Sequence, residues 1–172
     1  MHNIILCESA PFPRAALGSI QQSRSTIYLH PGQVYGEASP SEVTTILGSC
    51  VAVCLWDPVL GLGGVNHFLL PHWAGEGVST ARFGNVAVQR LIERLLDLGS
   101  SKQNLLAKVF GGACVLEAFR GNSKQLGDEN VSVALHILQG EGIPVLTQDV
   151  GGHHGRKLKF QTDDGVAWLK RL

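Results

Sequence analysis

The stretch that most constrains the fold is the run VAVCLWD, from Val51 to Asp57. Both of its alternating sets of side chains are apolar. One set is Val51, Val53 and Leu55, and the other is Ala52, Cys54 and Trp56. Because successive side chains of a strand point to opposite faces, this pattern predicts a strand that is covered on both sides. The rest of the chain must therefore supply a layer on each face of this strand.

The remaining sequence offers both strands and helices for those layers. An apolar stripe with helical spacing predicts a helix over Phe83–Leu98, and a second helix is expected from about Asp128, as its N-cap, to Gln139. Further strand patterns occur at Thr26–His30 and at Leu105–Ala113, and the C-terminal residues read as a hairpin turning at Asp164 and Gly165. The expected fold class is α/β, a single-domain layered sandwich of mixed β-sheet with two main helices.

Length and composition agree with one globular domain. The chain has 172 residues, of which 44% are hydrophobic and 16% are charged. This length and hydrophobic content are enough to form a core without disulfides or a structural metal. The first residues contain Pro11, Pro13 and Gly18 and then a polar run. We therefore expect a loose N-terminal extension over residues 1–25 and the folded domain over residues 26–172.

The charge balance argues against two classes of partner. Lys+Arg and Asp+Glu both number 14, so the chain has no electrostatic footprint for nucleic acid or for an anionic membrane. The N-terminal residues lack the basic segment of a signal peptide, and no apolar run has the length of a membrane span. A cytoplasmic location is expected, where cysteines remain free thiols.

Cys50 directly follows Gly48-Ser49, and His67 lies on the strand that returns from the predicted hairpin. The bland interpretation is a small buried cysteine and a satisfied core histidine. The functional one is a nucleophile and its base, because a neighbouring imidazole stabilises a thiolate. In that case the backbone N–H groups of Ser49 and Cys50 are candidates for holding an oxyanion. Thr44 is either ordinary strand material or the hydroxyl that orients the imidazole.

A zinc site is a poor explanation for the same cysteines. Cys50 and Cys54 are four residues apart on one strand, or about 13 Å at the usual rise. That separation is too large for two ligands of one zinc ion. We expect no metal, and Cys54 is interpreted as a structural residue of the strand.

Four ordered motifs give the chain a family resemblance. They are LGSCVAVCLWDPVLGLGGVNHFLLP, RFGN, VFGGA and DVGGHHGRK, and the similarity runs from about Thr26 to Trp168. The chain resembles the chemoreceptor glutamine deamidase family, CheD. On this resemblance the family's nucleophilic cysteine falls on Cys50, its histidine on His67 and its threonine on Thr44.

The resemblance implies hydrolysis of specific glutamine side chains on chemoreceptor cytoplasmic helices to glutamate, through a cysteine thioester and without a metal or organic cofactor. It also implies a CheC-type phosphatase as a further partner. The expectation of no nucleic acid and no membrane insertion rests on the charge balance and on the short apolar runs. Two alternatives stay open. The chain could be a non-catalytic binding regulator that acts through receptor or CheC contacts, or a cysteine peptidase that uses the same pair of side chains.

One departure from the family pattern occurs in LGDEN, Leu126 to Asn130, where Glu129 stands in place of the usual arginine. We expect this reversal of charge to alter surface or partner contacts rather than the chemistry.

Overall fold

The computed structural model describes residues 4–7, 23–115 and 122–172, which form ten strands and two long helices. In chain order these elements are β1 (Ile4–Cys7), β2 (Ser25–Tyr28), β3 (Gln33–Gly36), β4 (Ser41–Leu47), β5 (Val51–Asp57), β6 (Leu62–His67), α1 (Gly84–Asp97), β7 (Leu106–Gly111), α2 (Asn122–Gly140), β8 (Val145–Val150), β9 (Arg156–Gln161) and β10 (Ala167–Arg171). A short 3₁₀ turn, Lys102–Asn104, precedes β7.

The strands form two five-stranded sheets. The first sheet has the order β1-β10-β9-β4-β2, and the second has the order β3-β6-β5-β7-β8. Most neighbouring strands are antiparallel, but β2 and β4 are parallel in the first sheet and β7 and β8 are parallel in the second. Both sheets are therefore mixed, as the sequence predicts.

The alternating side chains of β5 explain how the layers stack. Ala52 and Cys54 face the first sheet and pack in a buried cluster with residues such as Phe160. Val53 and Leu55 face the other way, into a second cluster that includes the buried faces of α1 and α2. The order of layers is thus sheet, sheet, helices. The expectation that β5 is covered on both faces, inside a layered α/β sandwich, is confirmed.

The two helices differ in how well the sequence predicts them. α1 spans Gly84–Asp97, within one residue of the predicted bounds. α2 begins at Asn122 rather than at Asp128, so the predicted N-cap was wrong. Gly127, a poor helix former, lies inside this helix because its missing side chain allows the close contact with Gly112 described below.

Two short strands at sheet edges fall where the sequence suggested no strand. β3 follows the turn at Gly32 and pairs with the edge of β6. Ile4–Cys7, inside the predicted N-terminal extension, pairs with β10. Residues 1–3 and 8–22 of that extension lie outside the described residues. The predicted C-terminal hairpin is confirmed, with Gly165 in its turn at a φ of 70°.

Candidate active site

Cys50 ends the short connection that leads from the first sheet into the second. β4 ends at Leu47 and β5 begins at Val51, so Gly48, Ser49 and Cys50 carry the chain from one layer to the next. The Cys50 side chain is half-buried and packs against the cluster between the two sheets. The thiol therefore lies at the edge of the space between the layers.

Strand pairing places His67 beside Cys50. Val51 and Phe68 exchange two backbone hydrogen bonds of 3.1 and 3.0 Å. This register puts His67 opposite Ala52 and diagonal to Cys50, on the face that points towards the first sheet. Diagonal neighbours on a sheet face are about 7–8 Å apart between backbones, which a ring can span.

A hydroxyl group fixes the orientation of the His67 ring. Thr45 Oγ1 lies 2.8 Å from His67 Nδ1 and donates its own proton to the carbonyl oxygen of Leu29, also at 2.8 Å. Since the hydroxyl has only one proton, it accepts from His67 Nδ1–H. This network assigns the neutral imidazole its Nδ1–H tautomer and leaves the lone pair on Nε2.

His67 Nε2 is buried and has no hydrogen-bond partner in the part of the chain that the structure describes. A buried nitrogen without a partner is costly, and such groups are often functional. The free lone pair belongs to the nitrogen that a base would use to take the proton of a thiol.

The hydroxyl on His67 comes from Thr45 and not from Thr44, to which the sequence assigned this position. The reason is the alternation of the strand: Val43, Thr45 and Leu47 point between the sheets, and Thr44 points to the opposite face. Val43 and Leu47 are buried in the inter-sheet cluster. The structure thus brings His67 together with Thr45 and leaves Thr44 on the outer face of the first sheet.

Burial shifts the pKa values of the two candidate reacting groups in opposite directions. It lowers the pKa of His67 to about 4, with a weaker contribution in the same direction from His30 and an opposing one from the Leu29 carbonyl. Burial raises the pKa of the Cys50 thiol, although the backbone N–H of Cys50 itself works against the rise. Both groups are therefore neutral near pH 7.

The connection that carries Cys50 is held by the end of β7. The N–H of Gly112 donates to the carbonyl of Cys50 at 2.9 Å, and the N–H of Ala113 donates to the carbonyl of Gly48 at 2.7 Å. A Cβ on Gly111, whose φ is 113°, would lie 2.2 Å from the Cys50 oxygen. The glycines of the VFGGA motif thus lie where the backbone at the end of β7 closely approaches the backbone of Cys50.

α2 contributes one buried polar side chain to the same place. Asn130 is fully buried, and its Nδ2 donates to the carbonyl of Ser49 at 3.0 Å and to the carbonyl of Leu69 at 2.9 Å. The neighbouring Glu129 is exposed and accepts a hydrogen bond from Gln125. The departure from the family pattern is thus on the outer side of the helix, and the next residue faces the candidate site.

The loop of the DVGGHHGRK motif lies against the β7 end. Gly151 N–H donates to the carbonyl of Gly111, and Cys114 N–H donates to the carbonyl of Gly152, both at 2.9 Å. Arg156, which is almost fully buried, holds this loop through Asp149 Oδ1 at 2.8 Å and the Gly151 carbonyl at 2.9 Å. The loop is thus held by Arg156, the first residue of β9, the strand that follows it.

Cys54 has the structural position that the sequence suggested. It is buried between the sheets, and burial strongly raises the pKa of its thiol. Over residues 4–7, 23–115 and 122–172, no three His, Cys, Asp or Glu side chains form a group that could hold a metal ion. None of the helices in these segments is both long enough and apolar enough to cross a membrane.

Comparison with known proteins identifies relatives of this chain. A family model described as CheD chemotactic sensory transduction matches residues 69–171, more than half of the chain. A protein of Anaeromyxobacter dehalogenans named probable chemoreceptor glutamine deamidase CheD 1 is 54% identical over 149 residues, 87% of this chain and 86% of that protein. The chain belongs to the CheD family.

A second CheD relative, from Trichlorobacter lovleyi, is also named probable chemoreceptor glutamine deamidase CheD. It is 45% identical over 144 residues, which are 84% of this chain and 89% of that protein. Among solved structures, the Bacillus licheniformis hypothetical protein YfiH aligns with 75% of this chain and 57% of its own at 12% identity and a TM-score of 0.38.

Thr45 and Asn130 lie at this candidate site and were not predicted from the sequence, although each has a pattern that indicates its position. Thr45 has the same strand parity as the apolar residues Val43 and Leu47, which marks it as inward-facing. Asn130 precedes Ala134 and Leu138 at intervals of four, so it lies on the buried stripe of α2. A polar residue in such a stripe is a candidate for a specific buried hydrogen bond.

Proposed function

We propose that this CheD chain is a protein-glutamine deamidase that acts in the cytoplasm on bacterial chemoreceptors, the methyl-accepting chemotaxis proteins. It would hydrolyse specific glutamine side chains on their cytoplasmic helices to glutamate. The observation that carries the proposal is the pair formed by Cys50 and the partnerless Nε2 of His67 on one sheet face. The printed names of its CheD relatives support the same substrate class.

The chemistry begins with a neutral thiol and a neutral imidazole. His67 Nε2 takes the proton of Cys50 as the sulfur attacks Cδ of the glutamine side chain, so base catalysis and attack are coupled. Thr45 keeps the proton on Nδ1 and the lone pair on Nε2. The backbone N–H groups of Ser49 and Cys50 would hold the oxyanion that forms.

The second half of the reaction returns the site to its starting state. Protonated His67 gives its proton to the departing nitrogen, which leaves as ammonia, and a γ-glutamyl thioester remains on Cys50. His67 then takes a proton from water, the hydroxide attacks the thioester, and the proton returns to the sulfur. The products are one glutamate side chain and one ammonia for each water consumed.

Intact-mass analysis of a chemoreceptor cytoplasmic fragment tests this proposal. Incubation with the wild-type protein should add about one mass unit per amide converted to acid, with one ammonia released for each. Cys50→Ala should abolish both signals. His67→Ala should slow them by about 10²–10⁴-fold, the usual contribution of a general acid–base residue.

The chain offers a matched cysteine as the control. Cys54→Ala removes a thiol on β5, four residues beyond Cys50, that is buried in the core. This variant should keep the activity per folded molecule. Cleavage of the receptor fragment in place of ammonia release would indicate a peptidase. No mass change on several receptors, together with binding to them or to a CheC-type phosphatase, would favour the non-catalytic regulator.

A further inference from the structure

We propose that Asn130 is a positioning residue that sets the oxyanion-binding N–H group of Cys50. The inference rests on the proposed deamidase function, since it concerns the N–H group that would hold the oxyanion in that reaction. It begins with the three consecutive peptide units of the connection between β4 and β5, because each of them has its carbonyl oxygen anchored.

Two of those carbonyls are held by backbone and one by a side chain. The carbonyls of Gly48 and Cys50 accept from the N–H groups of Ala113 and Gly112. The carbonyl of Ser49, between them, accepts from Asn130 Nδ2. Asn130 is therefore the anchor of the central unit, and its contribution can be removed by substitution without changing the backbone of the turn.

The planarity of the peptide bond carries the effect across that unit. In a trans peptide the C=O and the N–H point in opposite directions. Holding the Ser49 oxygen towards α2 therefore turns the Cys50 N–H away from the helix. The same N–H opposes the rise in the pKa of the Cys50 thiol, so it lies on the sulfur's side of the peptide unit. The oxyanion of a tetrahedral intermediate would form beside that sulfur, within reach of this donor.

The second hydrogen bond of the same amide holds the segment that follows β6. Extending the Val51–Phe68 pairing by one residue sets Leu69 opposite Cys50, and the Leu69 carbonyl accepts the other Nδ2 proton of Asn130. The Asn130 amide thus joins two chain segments: the connection that carries Cys50, and the segment that follows His67. Both donors are used, so a flipped amide would set its oxygen against two carbonyl oxygens.

A purely structural role for Asn130 would predict that its side chain contributes to stability and not to the orientation of the Cys50 N–H. Asn130 Oδ1 is buried without a hydrogen-bond partner among the described residues, which is costly for a side chain selected only for stability. An asparagine at this position is understandable if its Nδ2 group is needed to orient the peptide unit. The experiment must therefore separate orientation of the oxyanion donor from support of the fold and from formation of the thiolate.

Asn130→Ala and Asn130→Ser are the test variants, the second retaining one hydroxyl donor. For each we would measure kcat and KM of receptor deamidation per folded molecule, with the folded fraction taken from a denaturation curve at the assay temperature. In parallel, the limiting rate of Cys50 alkylation by iodoacetamide would be measured, because that displacement forms no oxyanion on a carbonyl. Glu129→Gln, on the exposed side of the same helix, is the matched control.

We expect Asn130→Ala to lower kcat by about 10²-fold, the usual effect of losing an oxyanion donor, with KM and the limiting alkylation rate changed by less than about threefold. Asn130→Ser should lie between this variant and the wild type. A second control, Thr162→Val, removes a buried hydrogen bond to the Ser41 N–H elsewhere, and should lower stability without this kinetic pattern.

The outcomes distinguish the two proposals. An inactive wild-type protein overturns the deamidase function and this inference with it. An active wild type whose kcat is matched by both Asn130 variants overturns the inference alone. Equal losses in kcat and in limiting alkylation would likewise overturn it, since they would assign Asn130 to the thiolate or to the fold.

Discussion

The order of the two pKa values decides how the Cys50–His67 pair can work. Burial raises the pKa of the thiol and lowers that of the imidazole to about 4. A resting thiolate–imidazolium pair would need the opposite order. In the proposed reaction the proton would therefore move from sulfur to nitrogen only as the substrate is attacked, and the orientation of His67 by Thr45 would contribute to that step.

The pH dependence of Cys50 alkylation follows from that order. In the wild-type protein the rate of reaction with iodoacetamide should keep rising with pH beyond the ordinary thiol value of about 8.5, because the thiolate is the reactive form. Peptide mass mapping measures the alkylation rate of Cys50 at each pH. The Cys50→Ala variant gives the background alkylation of the other thiols. A plateau of high reactivity between pH 5 and 7 would contradict the neutral pair.

The depressed pKa of His67 also predicts an acid-sensitive fold. The unfolded chain binds a proton near pH 6.5, whereas folded His67 does so only near pH 4. Between these values the unfolded state holds more protons, so stability is present above about pH 6.5 and is lost as the pH falls. The shift corresponds to about 2 kcal/mol between pH 7 and pH 5.

Urea denaturation at these two pH values measures that difference. In His67→Gln the decrease in unfolding free energy between pH 7 and pH 5 should be smaller than in the wild type by about 2 kcal/mol. The comparison cancels the carboxylates that both proteins share. An identical decrease in the two proteins would show that His67 titrates normally in the folded state.

At the scale of elements, the site depends on how closely α2 approaches the end of β7. A Cβ on Gly127 would lie 2.4 Å from the carbonyl oxygen of Gly112, which is closer than any real contact. The glycine therefore sets the depth at which α2 packs. Asn130 lies one turn further along the helix, so its hydrogen bonds to Ser49 and Leu69 depend on the same depth.

Gly127→Ala should therefore move the helix away from the site. Overpacking of this kind costs about 1–3 kcal/mol, and loss of the Asn130 contacts should lower deamidation as well. Gly140→Ala is the matched control, since Gly140 ends the same helix with nothing within 4 Å of its Cβ position. It should be neutral or stabilising by up to about 1 kcal/mol. Similar melting temperatures for the two variants would refute the packing argument.

The sequence predicts those elements whose patterns are long and unambiguous. β5 and α1 have sustained apolar patterns, and both were located correctly. β3 is four residues long and lies at a sheet edge, too short for a pattern to emerge. The start of α2 was misplaced because Gly127 is unfavourable by local propensity, and only the tertiary contact with Gly112 explains it.

The candidate site shows the same division between local and tertiary information. Cys50 and His67 could be paired because one hairpin joins them. The family resemblance assigned the threonine to Thr44, whereas the parity of the strand puts Thr45 on the face that His67 shares. Asn130 is 80 residues beyond Cys50 in the sequence, and no local pattern links the two. Its role depends on how α2 packs against the second sheet.

At the scale of the whole molecule, the site is assembled far from the edge that β1 forms. Cys50 lies between β4 and β5, and His67 ends β6. β1 is the outermost strand of the first sheet, and β10 and β9 separate it from β4. Arg24 is held by ion pairs of 2.7 Å to Asp163 and 2.8 Å to Asp164, at the turn between β9 and β10. These ion pairs tie the chain to that turn just before residue 26, where the proposed domain of residues 26–172 begins.

Removing residues 1–22 tests this division of the chain. The truncated protein keeps Arg24 and its ion pairs but loses β1, which leaves β10 as an exposed edge. Its melting temperature should fall by about 2–4 °C for each kcal/mol lost with that strand, while kcat for receptor deamidation stays within about twofold of the full chain. Size-exclusion chromatography would check that the new edge does not drive association. A folded, monomeric truncation with a much lower kcat would instead place part of the catalytic or substrate-binding apparatus in the first 22 residues.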